Sequence, residues 1–110
     1  MISEITGKVL RKAEHALTVE VNGMGYEVLV PSSVLQRVDS QIDTQGNIHL
    51  KTYYYFQISL SSGLPVLVGF LNEIERDFFL QFIKVSGIGP RAAVKALSKP
   101  ISEIAGAIGQ

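Results

Sequence analysis

The chain has 110 residues, 46% of them hydrophobic, with ten Lys and Arg balanced by ten Asp and Glu and no Cys. That length suits one ordinary domain or two small ones, and without thiols there can be no disulfide staples or thiolate metal sites. Zero net charge excludes a surface that attracts nucleic acid as a whole, so contact with a polyanion must be local.

The opening "MISEITGKVLRK" lacks the basic stretch and long apolar run of a signal peptide. No apolar run approaches the roughly 20 residues of a membrane span. A cytoplasmic protein with no membrane partner is expected. Residues 2–31 read as strands. "ALTVEVNG" alternates Leu17, Val19 and Val21 with Thr18, Glu20 and Asn22. Asn22-Gly23 can take the positive φ that a tight hairpin needs, and "YEVLVP" returns as a strand that stops at Pro31, which cannot donate to a ladder. "SSVLQRV" suits one helical turn capped by Ser32 or Ser33, and "DSQIDTQGN" a loop. "IHLKTYYYFQI" and "LPVLVGFL" are rich in β-branched and aromatic residues and predict further strands. Several short strands with no helix long enough for a crossover imply a small antiparallel barrel.

The pattern changes at Asn72. "NEIERDFFLQFIKV" predicts a helix with Asn72 as N-cap and Glu75 three residues on, a relative of the capping box. Ile74, Phe78 and Phe82, with Phe79 and Ile83 alongside, form a wide apolar face. "PRAAVKALS" predicts a second helix with Pro90 as its first residue, and Ile101, Ile104 and Ile108 fall at the spacing of a third. Basic residues gather from Lys84 onward: Lys84, Arg91, Lys95 and Lys99 face only Glu103.

Between the helices lies "VSGIGPRAAVKAL". A second helix that starts there leaves backbone N–H groups unpaired at its N-terminus, and Gly87 and Gly89 lack the Cβ that would keep a phosphate oxygen away. Ile88 is expected to point inward and pin the turn. Arg91 is a cation in the first helical turn, unfavourable there unless an anion is bound. Small Ala92, Ala93 and Ala96 permit a close helix crossing. A tight turn used only for chain reversal is the competing explanation.

The segment resembles a helix-hairpin-helix element, which grips DNA by its phosphates without reading bases. The order of a barrel from Met1, "VNGMGYEVLVP", a strand ending "LVGF" and "NEIERDFFLQFIKVSGIGPRAAVKALS" resembles the RuvA family, Holliday-junction-recognising subunits of the bacterial RuvAB branch-migration complex. The resemblance implies an α+β fold, with an OB-fold-like domain over residues 1–70 for oligomerisation and as the junction platform. Residues 71–110 would be part of a second domain carrying the first hairpin. The second hairpin and the RuvB-binding third domain would lie outside this sequence. It further implies phosphate contacts at Ser86, Gly87, Ile88, Gly89 and Arg91, with Lys84, Lys95 and Lys99 further out. Four-way junction DNA, RuvB, RuvC and copies of the chain in a homotetramer are the implied partners, in recombination, repair and the SOS response. No cofactor is implied, and the ATPase would be RuvB. Family members carry paired carboxylates in the loop that here reads "QISLSSGLP", Gln57–Pro65, without an acid. A structural oligomerisation module, or an accessory domain of another repair enzyme, would account for the same motifs.

Other candidates are weaker. His15 and His49 lie in different strands with no ligand spacing, there is no phosphate loop of the GxxxxGK[ST] type, and no nucleophile–base pair is legible. "TYYYFQ" could stack bases. The better expectation places Tyr53, Tyr55 and Gln57 on one side, with Tyr54 and Phe56 filling the barrel or a subunit interface.

Overall fold

A computed structural model describes residues 1–58 and 60–97. Strands β1 (Glu4–Lys12), β2 (Ala16–Val21), β3 (Met24–Leu29), β4 (Asn47–Ile58) and β5 (Gly63–Phe70) close into a barrel in the order β1-β2-β3-β5-β4. Among the described residues the helices are α1 (Ser32–Leu35), α2 (Glu73–Ser86) and α3 (Pro90–Ala96). Lys99 and the third helix expected over Ile101–Ile108 lie outside the described residues.

The β2–β3 hairpin turns on Asn22 (φ 51°) and Gly23 (φ 85°), the positive-φ pair that suits a two-residue connection. The expected antiparallel barrel is found, with four of its five seams antiparallel and one parallel. β3 and β5 run parallel, with Val28 opposite Leu67. After β3 the chain crosses the barrel's end through α1 and a 3₁₀ turn over Val38–Gln41, which runs from the expected helical turn into the stretch expected to be loop. β4 therefore arrives beside β1, and β5 has to close the gap alongside β3. Val34 and Val38, both fully buried, plug this end. α1 begins at Pro31 with no side-chain cap, so neither Ser32 nor Ser33 has the expected role.

Period-two alternation fills the interior: Leu17, Val19, Val28, Ile48, Leu50 and Val68 are all buried. Each such side chain contributes about 1.5–3 kcal/mol. Outside, Glu4 on β1 binds Lys51 and His49 on β4, while Thr6 hydrogen-bonds His49 at 2.6 Å, so this histidine is engaged in the seam. β1 bulges between Val9 and Arg11, and at Gly7 it passes close over β2. A Cβ there would lie 2.2 Å from the Glu20 carbonyl oxygen and 2.9 Å from Val19 Cγ1. Gly7→Ala should therefore force β1 off β2 and lower stability by about 2 kcal/mol in urea unfolding. A loss below about 0.5 kcal/mol would show that the strands part without strain.

Candidate nucleic-acid interface

Only Leu71 and Asn72 separate β5 from α2, so the junction between them sets the helix direction. Asn72 Oδ1 accepts the Glu75 N–H at 2.9 Å, as its N-cap position requires. Glu75 reaches back one residue further than a capping box would: its carboxylate accepts the Leu71 N–H at 3.1 Å. The other carboxylate oxygen pairs with Arg37, which follows α1. The Glu75 side chain is 9% exposed and that of Arg37 46%, so one end of the pair is dry.

This arrangement lays α2 on the barrel, with Phe79 fully buried 5.0 Å from Phe70 and 6.4 Å from Tyr53. The wide apolar face expected from the sequence is divided. Glu75 and Phe79 face the barrel, whereas Ile74 is 80% exposed, Phe78 and Phe82 are half-buried, and Val85 is exposed. Phe78, Phe82 and Ile83 still pack against the edge of the core.

At the far end Gly87 adopts φ 74° and its N–H donates to the Ile83 carbonyl at 3.1 Å, closing α2 in a left-handed cap. That amide serves the fold. The Ile88 N–H makes a long 3.4 Å contact with Ser86 Oγ. Gly89 caps α3 with φ −73° and ψ 164°, and Pro90 follows as the first helical residue. Ala93, Val94 and Leu97 are buried and anchor α3, while Ala92 and Ala96 are exposed. The first-turn amides of Arg91 and Ala92 have no intrahelical acceptor and face outward.

Lys84, Ser86, Gly87, Gly89, Arg91 and Lys95 are all exposed around this turn. Arg91 and Lys95 stand four residues apart and share a helix face. Ile88 does not point inward as expected. It is 36% exposed and not part of the core, to which α3 contributes Ala93, Val94 and Leu97. One contact has no signal in the sequence: Arg91 Nε donates to Gln57 Oε1 at 2.9 Å, tying the turn to the β4–β5 hairpin. The guanidinium keeps its other N–H donors. Beside it Tyr55 stacks on Tyr53 at 5.6 Å, and its phenol pKa is raised by burial, with the Arg91 charge opposing. Tyr53, Tyr55 and Gln57 thus share the helix side, as expected. Phe56 does not fill the barrel: it is 55% exposed, beyond the barrel's rim. Among the described residues no helix is long and apolar enough to cross a membrane.

The strand order, the end-plugging helix and the capped helix leaving β5 define an OB-fold-like barrel followed by helices. Residues 1–59 match the family described as RuvA N terminal domain, and the chain belongs to the RuvA family. It is similar to the "Holliday junction branch migration complex subunit RuvA" of Desulfatibacillum aliphaticivorans, 40% identical over 98% of this chain and 51% of the relative. The protein of that name from Bordetella petrii is 36% identical over 98% and 54%, and that from Teredinibacter turnerae 34% over 94% and 47%. The chain thus spans about half the length of the curated relatives it matches.

Glu75→Ala should lower stability by about 2 kcal/mol, because it frees the Leu71 amide and the Arg37 charge together. Glu75→Gln, which keeps an acceptor for Leu71, should lose less. Equal losses in thermal unfolding would assign the whole effect to the ion pair.

Proposed function

We propose that this protein is the junction-binding subunit of a RuvAB-type branch-migration complex, acting in recombination and DNA repair in the cytoplasm. Residues 1–70 serve as the oligomerising platform and residues 71–110 bring the first helix-hairpin-helix to DNA. Four-way junction DNA is the ligand, held by its phosphates at Ser86 to Arg91 with Lys84 and Lys95 further out. The chain acts without chemistry of its own. Copies assemble as a homotetramer, RuvB supplies the ATPase through a region beyond the matched half of the relatives, and RuvC shares the junction.

The observation that carries the phosphate contact is Gly89. Its φ and ψ suit any residue, and among the described residues no heavy atom lies within 4 Å of where a Cβ would sit. Neither its backbone angles nor its surroundings require glycine there, and the preference for glycine over alanine at a helix N-cap is the one local reason for it. A ligand that approaches the backbone closely gives a second. Gly87 is the contrast, since its φ of 74° needs glycine for the cap itself.

Two variants separate these roles. Gly89→Ala should change stability by less than about 1 kcal/mol, because the poorer N-cap and the stiffer unfolded chain oppose each other, yet weaken junction binding about ten-fold in mobility-shift titrations. Gly87→Ala should lose about 1–2 kcal/mol of stability. Parental junction affinity in Gly89→Ala would remove the backbone contact from the account. Arg91→Ala should shallow the log–log salt dependence of binding by about 0.9 per subunit if one phosphate is neutralised. An unchanged slope would assign that phosphate to another cation.

A further inference from the structure

Lys84, Arg91 and Lys95 all stand exposed near the turn, but among the described residues only Arg91 is held by another side chain. Its holder is Gln57, and both ends of the contact are firmly supported. Gln57 lies in the β4–β5 ladder opposite Leu64, two residues beyond the Tyr55–Val66 pair. Period two puts its side chain on the face of Tyr53 and Tyr55, which stack on each other. Arg91 lies in the first turn of α3, and Ala93, Val94 and Leu97 anchor that helix in the core.

The chemistry of the holder is the informative part. A guanidinium has five N–H donors in a planar fork, and Gln57 Oε1 takes the one on Nε at 2.9 Å. Those on Nη1 and Nη2 have no partner among the described residues. The end of the fork, which matches two oxygens of one phosphate, therefore stays open. Glutamine is also neutral. A carboxylate in its place would pair with Arg91 and cancel the charge that attracts a phosphate. From Thr52 to Asn72 the chain carries no charged residue, and among the described residues Arg91 has no counter-ion. The contact thus fixes the direction of the cation and leaves its charge uncompensated. A long side chain that is already held loses less conformational freedom when it binds. Because Gln57 and Arg91 are both exposed, water competes for the bond and the gain is modest.

We infer that Gln57 is a positioning residue for DNA binding, aiming the Arg91 guanidinium at a phosphate without touching DNA itself and without neutralising the cation. This rests on the reading that Arg91 binds a phosphate, and it adds the residue that directs that contact. The test is a set of junction titrations over a range of salt, with melting temperatures alongside, on the parent, Gln57→Ala, Gln57→Glu, Arg91→Ala and the double variant Gln57→Ala/Arg91→Ala. Gln57→Ala should keep the melting temperature and the salt slope of the parent, since no charge is lost, but bind about five-fold more weakly. Gln57→Glu should bind more weakly still, because its carboxylate compensates the cation. In the Arg91→Ala background, Gln57→Ala should have no further effect. Gln57→Ala that binds as well as the parent, or more tightly, overturns the inference: Gln57 would then be idle, or a competitor of the phosphate. Gln57→Glu at parental affinity overturns it as well. An equal loss from Gln57→Ala with and without Arg91 assigns Gln57 to the fold or to a direct contact, which also overturns it. All three results leave the Arg91 phosphate contact standing. Arg91→Ala with the affinity and slope of the parent removes that contact, and this inference with it.

Discussion

The Glu75 carboxylate fixes how the two halves of the structure meet. A dry carboxylate is unfavourable unless its oxygens are engaged, and here one takes the Leu71 amide at the end of β5 while the other takes Arg37 beyond α1. Strand exit, helix start and barrel plug are thereby held by one side chain. Asn72 adds the helix cap, and Phe79 then falls onto Phe70 and Tyr53. Without this anchor the apolar contact would hold α2 near the barrel but leave its direction loosely set, since hydrophobic contact is not directional. The direction matters because the Gly-Ile-Gly turn lies at the far end of α2, where a small angular error becomes a large displacement.

The second organising fact is where β1 begins. Ile2 and Ser3 are the last residues to touch β4, and beyond them β4 has a partner on one side only. The β4–β5 hairpin and the Gly-Ile-Gly turn are then joined by Arg91 and Gln57. Groups on a strand and on a helix thus become one surface, held by rigid structure on both sides.

Much of this was legible in local patterns. Asn22-Gly23 specifies its turn, Asn72 its cap, and Gly87 with Pro90 the end of one helix and the start of the next, because each is decided by a few neighbouring residues. What was not legible depends on distance. Period two shows which way Phe56 faces but not that the barrel ends before it. The Ile74, Phe78 and Phe82 spacing shows a helix face but not that the barrel covers only the Phe79 side. Ile88 was expected inside from its place between two glycines, but how much of it the core covers is not a local property. The Arg91–Gln57 contact and the Arg37–Glu75 pair join residues brought together only by the closed fold. The residues proposed to hold phosphate are all exposed around the Gly-Ile-Gly turn, and Gly89 is the one glycine among them that lies in open space without a positive φ.

The parallel pairing of β3 with β5 also shapes the route by which the chain reaches this structure. Val28 and Leu67 are roughly forty residues apart, so closure requires a long loop entropy to be overcome before any contact rewards it. The β2–β3 and β4–β5 hairpins need only neighbours, and such local pairs form in microseconds. Barrel closure then comes late, and Phe79 has its full seat only once Phe70 is fixed beside β3. During synthesis the surface that carries the turn is consequently among the last parts to be assembled, after the sheet it rests on.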